Sequence, residues 1–417
     1  MLQQSQFNIH QGAELSRLPF FVDRQAAHAV GAILQIGVTS DLNSIKDEWR
    51  DFEQRADCTP FQTFDWLETW QRCIGAPAGV TPAIVTGRPP AGNLLFILPL
   101  AVERKNFIRR LTFLGHTLCD YNAPLLAPEF FDHVSAAEFG ALWTSIRLLL
   151  QRTAGCQHDI VVLDKMPQRI GRQPNPMGAL ATMLHPSGAY LTALGEDWEG
   201  FYREKRSSAT RQRDRTKRKK LGEMGELRFI SPNLPEEIQT TLATLFSQKS
   251  RSFARMGVSN LFERPGHSEF FLSIASNARG FAHVSRLNVG ATCAAANLGL
   301  LFRGCYFHVL ASYDDGPVSR FGPGAAHLNE LMGYAIAQGC KYFDFTVGDE
   351  GYKRDWSDTK LELGDHVSGT GFLGRLVAAM LIASLSAKRR IKNSKVMWNA
   401  ASRVRSMLAT IRRIVSP

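Results

Sequence analysis

Residues 320–356, R-F-G-P-G-A-A-H-L-N-E-L-M-G-Y-A-I-A-Q-G-C-K-Y-F-D-F-T-V-G-D-E-G-Y-K-R-D-W, restrict the fold more than any other stretch of the chain. A glycine-rich turn runs into an amphipathic helix. A short apolar strand follows, and then a loop crowded with polar and aromatic side chains. Glycines that open a helix expose backbone N–H groups at the positive end of its dipole, an arrangement that suits phosphate. The strand and polar loop would then set reactive side chains beside whatever the phosphates anchor.

The remainder of the 417 residues is globular in composition, 44% hydrophobic and 21% charged, and is long enough for two domains. Seven cysteines occur without a C-x-x-C pair and the eleven histidines lack ligand spacing, so neither a disulfide framework nor a metal site is expected. The amino terminus has no basic-then-apolar signal pattern. The longest uninterrupted apolar runs, 94–102 and 376–383, fall far short of the roughly 20 residues that span a bilayer. A cytoplasmic protein is expected. Ten Lys or Arg and no Asp or Glu lie in 371–417, so the net charge of +11 belongs to the tail while the body holds 39 basic and 38 acidic residues.

Hydrophobic periodicity divides the chain in two. Residues 1–30 read as a loosely ordered leader. The first domain, 31–185, runs strand (32–38), helix (to Asp57, with Asp41 as N-cap), helix (64–74), three strands (81–86, 94–103, 110–114), helix (136–153) and strand (159–163). A Pro/Gly-rich stretch, 167–188, marks the boundary. The second domain, 186–365, repeats that order. It has a strand at 190–194, helix with a heavy charge run over 196–222, a strand at 226–230 and helices at 234–253 and 266–278. A meander (280–287, 292–301, 304–312), the glycine turn and helix, and the strand 342–347 follow. Residues 366–417 form a basic amphipathic helical tail.

The motif Y-F-D-F-T-V-G-D-E-G-Y-K-R-D-W, the G-P-G turn before it and the basic R-x-R-x-R-x-K-R-K-K run at 211–220 resemble the GNAT-type domain of the cellulose-biosynthesis acetyltransferase (CelD-like) proteins, relatives of the Fem-type aminoacyl transferases. The resemblance covers about 190–360. It implies an α/β (α+β) protein of tandem GNAT-like domains, each a mixed, mostly antiparallel sheet flanked by helices. It also implies acetyl-CoA or another acyl-CoA as donor, and an amine or hydroxyl of a polysaccharide or cell-envelope precursor as acceptor. One departure stands out: the family's Gln or Arg at the pyrophosphate loop is Ser319 here, Arg320 comes one position late, and Pro323 removes a backbone donor.

The candidate donor site is Arg320, Gly322, Gly324, Ala325 and Ala326; an ordinary loop-to-helix start would use the same glycines. Asp344 alternates with Phe343 and Phe345, and a carboxylate enclosed there would titrate high. It serves proton transfer or orients the following loop. By the resemblance Tyr352 donates a proton to the leaving thiolate, while Lys353 steadies an oxyanion or binds the acceptor beside Asp349. His308, on one face of 304–312 with Tyr306 and Ser312, is a candidate base or a satisfied core histidine. Asp120 and Tyr121 resemble an acidic-aromatic pair that touches the acceptor; an Asx turn before Pro124 is the alternative. The ten basic residues of 203–220 form a solvated helix face or meet an anion such as tRNA or CoA phosphate. Residues 372–385 pair an apolar face with the cations that follow, as in an interfacial helix. Peripheral contact of 372–413 with anionic lipid at the inner face of the membrane is the matching expectation.

Overall fold

The computed structural model describes residues 18–20, 34–277 and 280–393. The leader expected over 1–30 lies outside these except for Leu18–Phe20, and so does the tail beyond 393. The first half runs β1 (Leu18–Phe20), β2 (Leu34–Thr39), α1 (Lys46–Arg55), α2 (Phe64–Trp70), β3 (Thr81–Arg88), β4 (Phe96–Lys105), β5 (Ile108–Phe113), β6 (Leu125–Leu126), α3 (Phe130–His133), α4 (Phe139–Arg152) and β7 (Ile160–Pro167). A hairpin of β8 (Arg169–Ile170) and β9 (Gln173–Pro174) leads to β10 (Thr182–Leu184). The second half runs β11 (Ala189–Ala193), α5 (Trp198–Lys205), α6 (Ser208–Met224), β12 (Leu227–Ile230), α7 (Pro235–Met256), α8 (His267–Ala275), β13 (Ala282–Val289), β14 (Thr292–Phe302), β15 (Cys305–Tyr313), α9 (Pro323–Ala337) and β16 (Tyr342–Val347). Helix α10 (Gly351–Trp356), β17 (Thr359–Leu361), β18 (Leu363–Gly369) and α11 (Gly371–Asn393) complete it.

Local chemistry explains several boundaries. The Asp41 carboxylate accepts the Asn43 N–H at 2.9 Å and starts a 3-10 turn that becomes α1, burying Trp49 and Phe52. The single helix expected over 196–222 is two, because Ser207 leaves the helical region and its hydroxyl caps α6 by accepting the Thr210 N–H. The polar loop expected after 347 contains the short helix α10.

Two mixed sheets carry the fold. The first has the order β1-β2-β3-β4-β5-β7-β18-β10, with β6 beside β4; the second has the order β12-β13-β14-β15-β16-β11-β17. Each is antiparallel except for one parallel pair, β5/β7 in the first and β15/β16 in the second. In both, a helix lies between the parallel strands in sequence, α4 and α9 respectively. The tandem, mostly antiparallel architecture expected from the sequence is present. One feature the periodicity did not show is that β18, from the far end of the second half, pairs antiparallel with β7 in the first sheet. Its sequence, L-G-D-H-V-S-G, has too little apolar character to announce a central strand.

The halves share a continuous core. Trp66 on α2 meets Phe270 on α8 edge-on at 4.9 Å, and Phe61 meets Phe307 at 6.1 Å. Arg303, at the β14–β15 turn, reaches the last carbonyls of α1. It donates to Ala56 O at 2.6 Å, to Gln54 O at 3.4 Å and to Glu53 O. A cation there satisfies carbonyls that the helix leaves free and meets the negative end of its dipole.

The helical tail expected from 366 starts later: residues 366–369 belong to β18, where they pair with β7, and the described helix α11 begins at Gly371. The stretch Gly371–Ile391, 21 residues whose most apolar 18-residue window has a mean hydropathy of 1.4, is long and apolar enough to cross a membrane by length and composition. Counting only uninterrupted apolar runs understated it, because the run 376–383 is cut by Arg375 on one side and Ser384 on the other while the residues beyond both are again largely apolar. Its first turns dock on the first domain, where Gly374 packs against Asp159 O and Gly369 and Ala378 is buried. Phe372, Leu373, Leu376 and Met380 remain exposed.

Arg303→Ala leaves three carbonyls of α1 without a charged donor, and should cost about 1–3 kcal/mol in urea unfolding with little change in slope.

Candidate active site

Strands β15 and β16 form a fork. They pair only where Cys305, Tyr306 and Phe307 face Tyr342, Phe343 and Asp344, and then diverge. A bulge sits in β15 just past the apex: Gly299 opposes His308 and Leu298 opposes Leu310, leaving Val309 unmatched. The extra residue reverses the alternation. Tyr306 and His308 face the aromatic core around Phe343, whereas the Ser312 hydroxyl donates to Gln248 Oε1 on α7 at 2.8 Å. The expectation that Tyr306, His308 and Ser312 share one face is therefore corrected by the bulge. On the other arm, Thr346 is held at φ 59°, a left-handed conformation uncommon for a β-branched residue. Its N–H donates to Asp344 Oδ1 at 2.7 Å and its hydroxyl to His308 O at 3.3 Å, tying the arms together. Strain of this kind concentrates at functional sites.

The first domain sends a loop to the fork apex. Lys165 on β7, also left-handed at φ 53°, donates from Nζ to His116 O at 3.0 Å, Thr117 O at 3.4 Å and Cys119 O. Its N–H donates to Asp365 Oδ1 at 3.0 Å, and Asp365 meets His185 Nδ1 at 2.8 Å. So fixed, the loop presents Tyr121, whose hydroxyl donates to both Asp344 carboxylate oxygens at 2.8 and 2.9 Å. The neighbouring Asp120 carboxyl bonds the Thr346 side chain and lies in the field of Lys165 and Lys353.

Two lysines complete the cluster. Lys353 is buried, with Nζ 3.0 Å from Val347 O and 3.3 Å from Glu350 Oε2. Gly348 allows this approach, since a Cβ there would stand 2.7 Å from Lys353 Nζ. Lys249 on α7 donates to Ala311 O at 3.1 Å on the free arm of β15 and interacts electrostatically with Glu350 and Lys353. Burial pushes the Lys249 amine down. Sequence inspection missed Lys165, Lys249 and Thr346, because each is defined by contacts across elements rather than by a local motif.

Enclosure sets the proton affinities. Burial pushes the Asp344 carboxyl up to about 7, against the pull of the Thr346 N–H and the Tyr121 hydroxyl. Burial also raises Asp120, with Lys165 and Lys353 opposing. The His308 imidazole is pushed down to about 3 by burial and by Lys353, so it is neutral at physiological pH. Tyr352 is raised, chiefly by burial, and stays protonated.

Of the residues singled out in the sequence, Asp344, Asp120, Tyr121 and Lys353 come together at the fork. Tyr352 packs edge-on against Phe345 at 6.2 Å and His308 at 6.5 Å on the aromatic side. Asp349 accepts the Tyr190 hydroxyl at 3.2 Å. Gly322, Ala325 and Ala326 lie apart, lining a groove between α5, α6 and α9, and Arg320 lies over Phe321 at 4.8 Å. Gly324 joins the two regions, since a Cβ on it would stand 3.3 Å from Tyr313 at the end of β15.

Residues 208–354 match the family model described as acetyltransferase (GNAT) domain. That span contains the fork and α9; the second domain is GNAT-like in fold, and the first repeats its strand plan. Among solved structures, FemX aligns at a TM-score of 0.55 with 11% identity, over 77% of this chain and 96% of that one. A protein of unknown function from Bacteroides thetaiotaomicron aligns at 0.51 with 13% identity, over 80% and 99%. A tandem GNAT protein from the clavulanic acid biosynthesis pathway aligns at 0.44 with 13% identity, over 81% and 99%. No curated protein matches the sequence significantly.

The raised Asp344 carboxyl has a consequence for stability. The folded state keeps that proton to about pH 7, whereas the unfolded chain gives it up near 3.8. The folded state therefore binds more protons in between, and stability falls as pH rises from about 4 to 7. Asp344→Asn keeps an acceptor for Tyr121 and removes the titration. Its unfolding free energy should lose this component, about 4 kcal/mol at most, and exceed that of the wild type at pH 8. Parallel pH–stability curves for the two proteins would show that Asp344 titrates normally.

Proposed function

We propose that this protein is an acyltransferase of GNAT type. It moves an acyl group, acetyl in the simplest case, from an acyl-CoA to an amine or hydroxyl of a polysaccharide or cell-envelope precursor. The observation that carries this reading is the Tyr121–Asp344 contact at the fork apex, where a carboxyl pushed up to about 7 sits beside the enclosed Lys353. The free arms of β15 and β16 offer unpaired strand edges along which an extended donor arm lies, with its thioester at the apex. Asp344, helped by Asp120, takes the proton from the attacking amine or hydroxyl. A group titrating near the working pH is suited to that. Lys353 steadies the oxyanion that forms on the thioester carbonyl. As the carbon–sulfur bond breaks, the Tyr352 hydroxyl protonates the departing thiolate. The acceptor approaches from the side of Asp120, Tyr121 and Asp349, and His308 lines the fork as a neutral imidazole. The GNAT match over 208–354 supports the reaction class.

A second reading takes an aminoacyl ester on tRNA as donor, favoured by the ten basic residues of 203–220 and the fold likeness to FemX. A third is a non-catalytic scaffold at the membrane surface. Thermal shift with CoA, acetyl-CoA, longer acyl-CoAs and tRNA separates the donors, and the scaffold reading stands only if no donor supports turnover. Tyr352→Phe should lower kcat about a hundredfold with unchanged donor affinity, since only proton donation is lost. Lys353→Ala should be more severe. Wild-type turnover in both variants would remove the fork from the chemistry.

We extend this reading to a location, which helix α11 supports. One face docks on the first domain while Phe372, Leu373, Leu376 and Met380 face outward, ahead of Lys388, Arg389 and Arg390. This suits a helix lying on an anionic membrane at its inner face rather than crossing it. Phe372→Ser with Leu376→Ser should leave the melting temperature unchanged and weaken sedimentation with anionic liposomes at least fivefold; wild-type binding should fall as salt rises. A wild-type protein that ignores such liposomes at low salt has no membrane role for this face.

A further inference from the structure

The groove between α5, α6 and α9 has a volume of about 820 Å³, room for a ligand the size of a nucleotide. Its floor is the outward face of α9, kept low by Ala325, Ala326 and Gly333. One wall is aromatic, with Trp198 stacked on Tyr202 at 4.9 Å and 15°, and with Tyr334 alongside. The other wall is cationic. Five basic residues line the groove against three acidic ones. Two of the acids are engaged, Asp214 accepting the Tyr202 hydroxyl at 2.7 Å and Glu330 pairing with Arg218 at 2.6 Å. Arg203, Arg215 and Lys217 have no carboxylate partner among the described residues. A flat aromatic wall facing unpaired cations is complementary to a base that carries phosphates.

We propose that this groove is a nucleotide site that holds the base and phosphates of the acyl donor, with helix α6 supplying the cations. The proposal rests on the acyltransferase reading and names how the donor is held. Backbone donors at the glycine turn cannot do this alone. The Gly322 N–H is bonded to Ser319 O at 3.0 Å, Pro323 has none, and the N–H groups of Ala325 and Ala326 both go to Gly322 O at 3.1 Å. Gly324 is left, and side chains must supply the remaining affinity. Lys217 comes to the lip, where a Cβ on Gly322 would stand 3.9 Å from its Nζ. From that lip, β15 runs from Tyr313 back to His308, about 17 Å at strand spacing, and ends beside Asp344. A nucleotide in the groove with a long flexible arm therefore delivers its acyl end to the fork.

The test uses the full chain and ADP, which presents the shared chemistry of a coenzyme nucleotide and of an RNA end. Two variants alter the groove without touching the fork. Gly333→Leu fills it beside Trp198, only 3.9 Å from a Cβ at that position, and replaces a mid-helix glycine, so folding should be unharmed or improved. Arg215→Glu with Lys217→Glu reverses the cationic wall. Calorimetry at low salt should show ADP binding in the wild type, at least tenfold weaker binding in both variants, and undiminished binding in Asp344→Asn. Competition then names the source: CoA displacing ADP identifies a coenzyme donor, and tRNA displacing it identifies an RNA-borne one. A wild type that does not bind ADP, or variants that bind it as the wild type does, would overturn the assignment. Groove-dependent ADP binding without any acyl transfer would leave the nucleotide site standing and sink the acyltransferase reading instead.

Discussion

The hydroxyl of Tyr121 meeting the carboxylate of Asp344 is the contact on which the rest of the architecture converges. The two residues are 223 positions apart, Asp344 on a strand of the second sheet and Tyr121 on a loop of the first domain. Either alone would be unremarkable, an interior tyrosine and a strand aspartate. Together they close an apolar seam over a buried carboxyl whose other donor among the described residues is the Thr346 N–H, and an under-satisfied carboxyl there is costly. The surrounding devices keep this contact in register: the left-handed Thr346 on one side, and on the other a loop pinned by Lys165.

Several of the supporting cations address carbonyl oxygens, and of these only Lys353 is also paired with an acid, Glu350, among the described residues. Lys165 gathers carbonyls of the 116–119 loop, Arg303 those at the end of α1, Lys353 that of Val347 and Lys249 that of Ala311. Isolated pairs with surface acids contribute little to stability. An enclosed ammonium held by fixed dipoles orders a loop and keeps part of its field for a neighbouring group. Lys353 and Lys165 do so for Asp120, whose carboxyl would otherwise titrate still higher.

How legible this was in the sequence follows from the range of each signal. The β16 strand, the alternation that aims Asp344 away from Phe343 and Phe345, and the repeated element order are local patterns, and they appear where periodicity places them. Family resemblance singled out Asp120 and Tyr121 as contacts for the acceptor, but their convergence on Asp344 was not legible, because no spacing rule links positions 120 and 344. The bulge at Val309 was invisible, since one unmatched residue changes no composition yet turns Ser312 to the opposite face. Strand β18 escaped for the same kind of reason. A strand whose partners lie far back in the first half and whose residues are Gly, Asp, His and Ser apart from Leu363 and Val367 has no local pattern to find.

That strand bears on how the molecule comes into being. Because β18 pairs with β7, the first sheet lacks an inner strand until the far end of the second half has been made. During synthesis the N-terminal half would emerge from the ribosome with an unsatisfied β7 edge, the kind of surface that recruits other chains. The second sheet has no such wait, since β11 precedes the strands it joins. Assembly is thereby skewed toward the later half, which must form before the earlier one can close. The two halves are joined through one seven-residue segment that follows the strands of the second sheet, and a chain released before it would hold nearly every residue of the first domain and still not complete it.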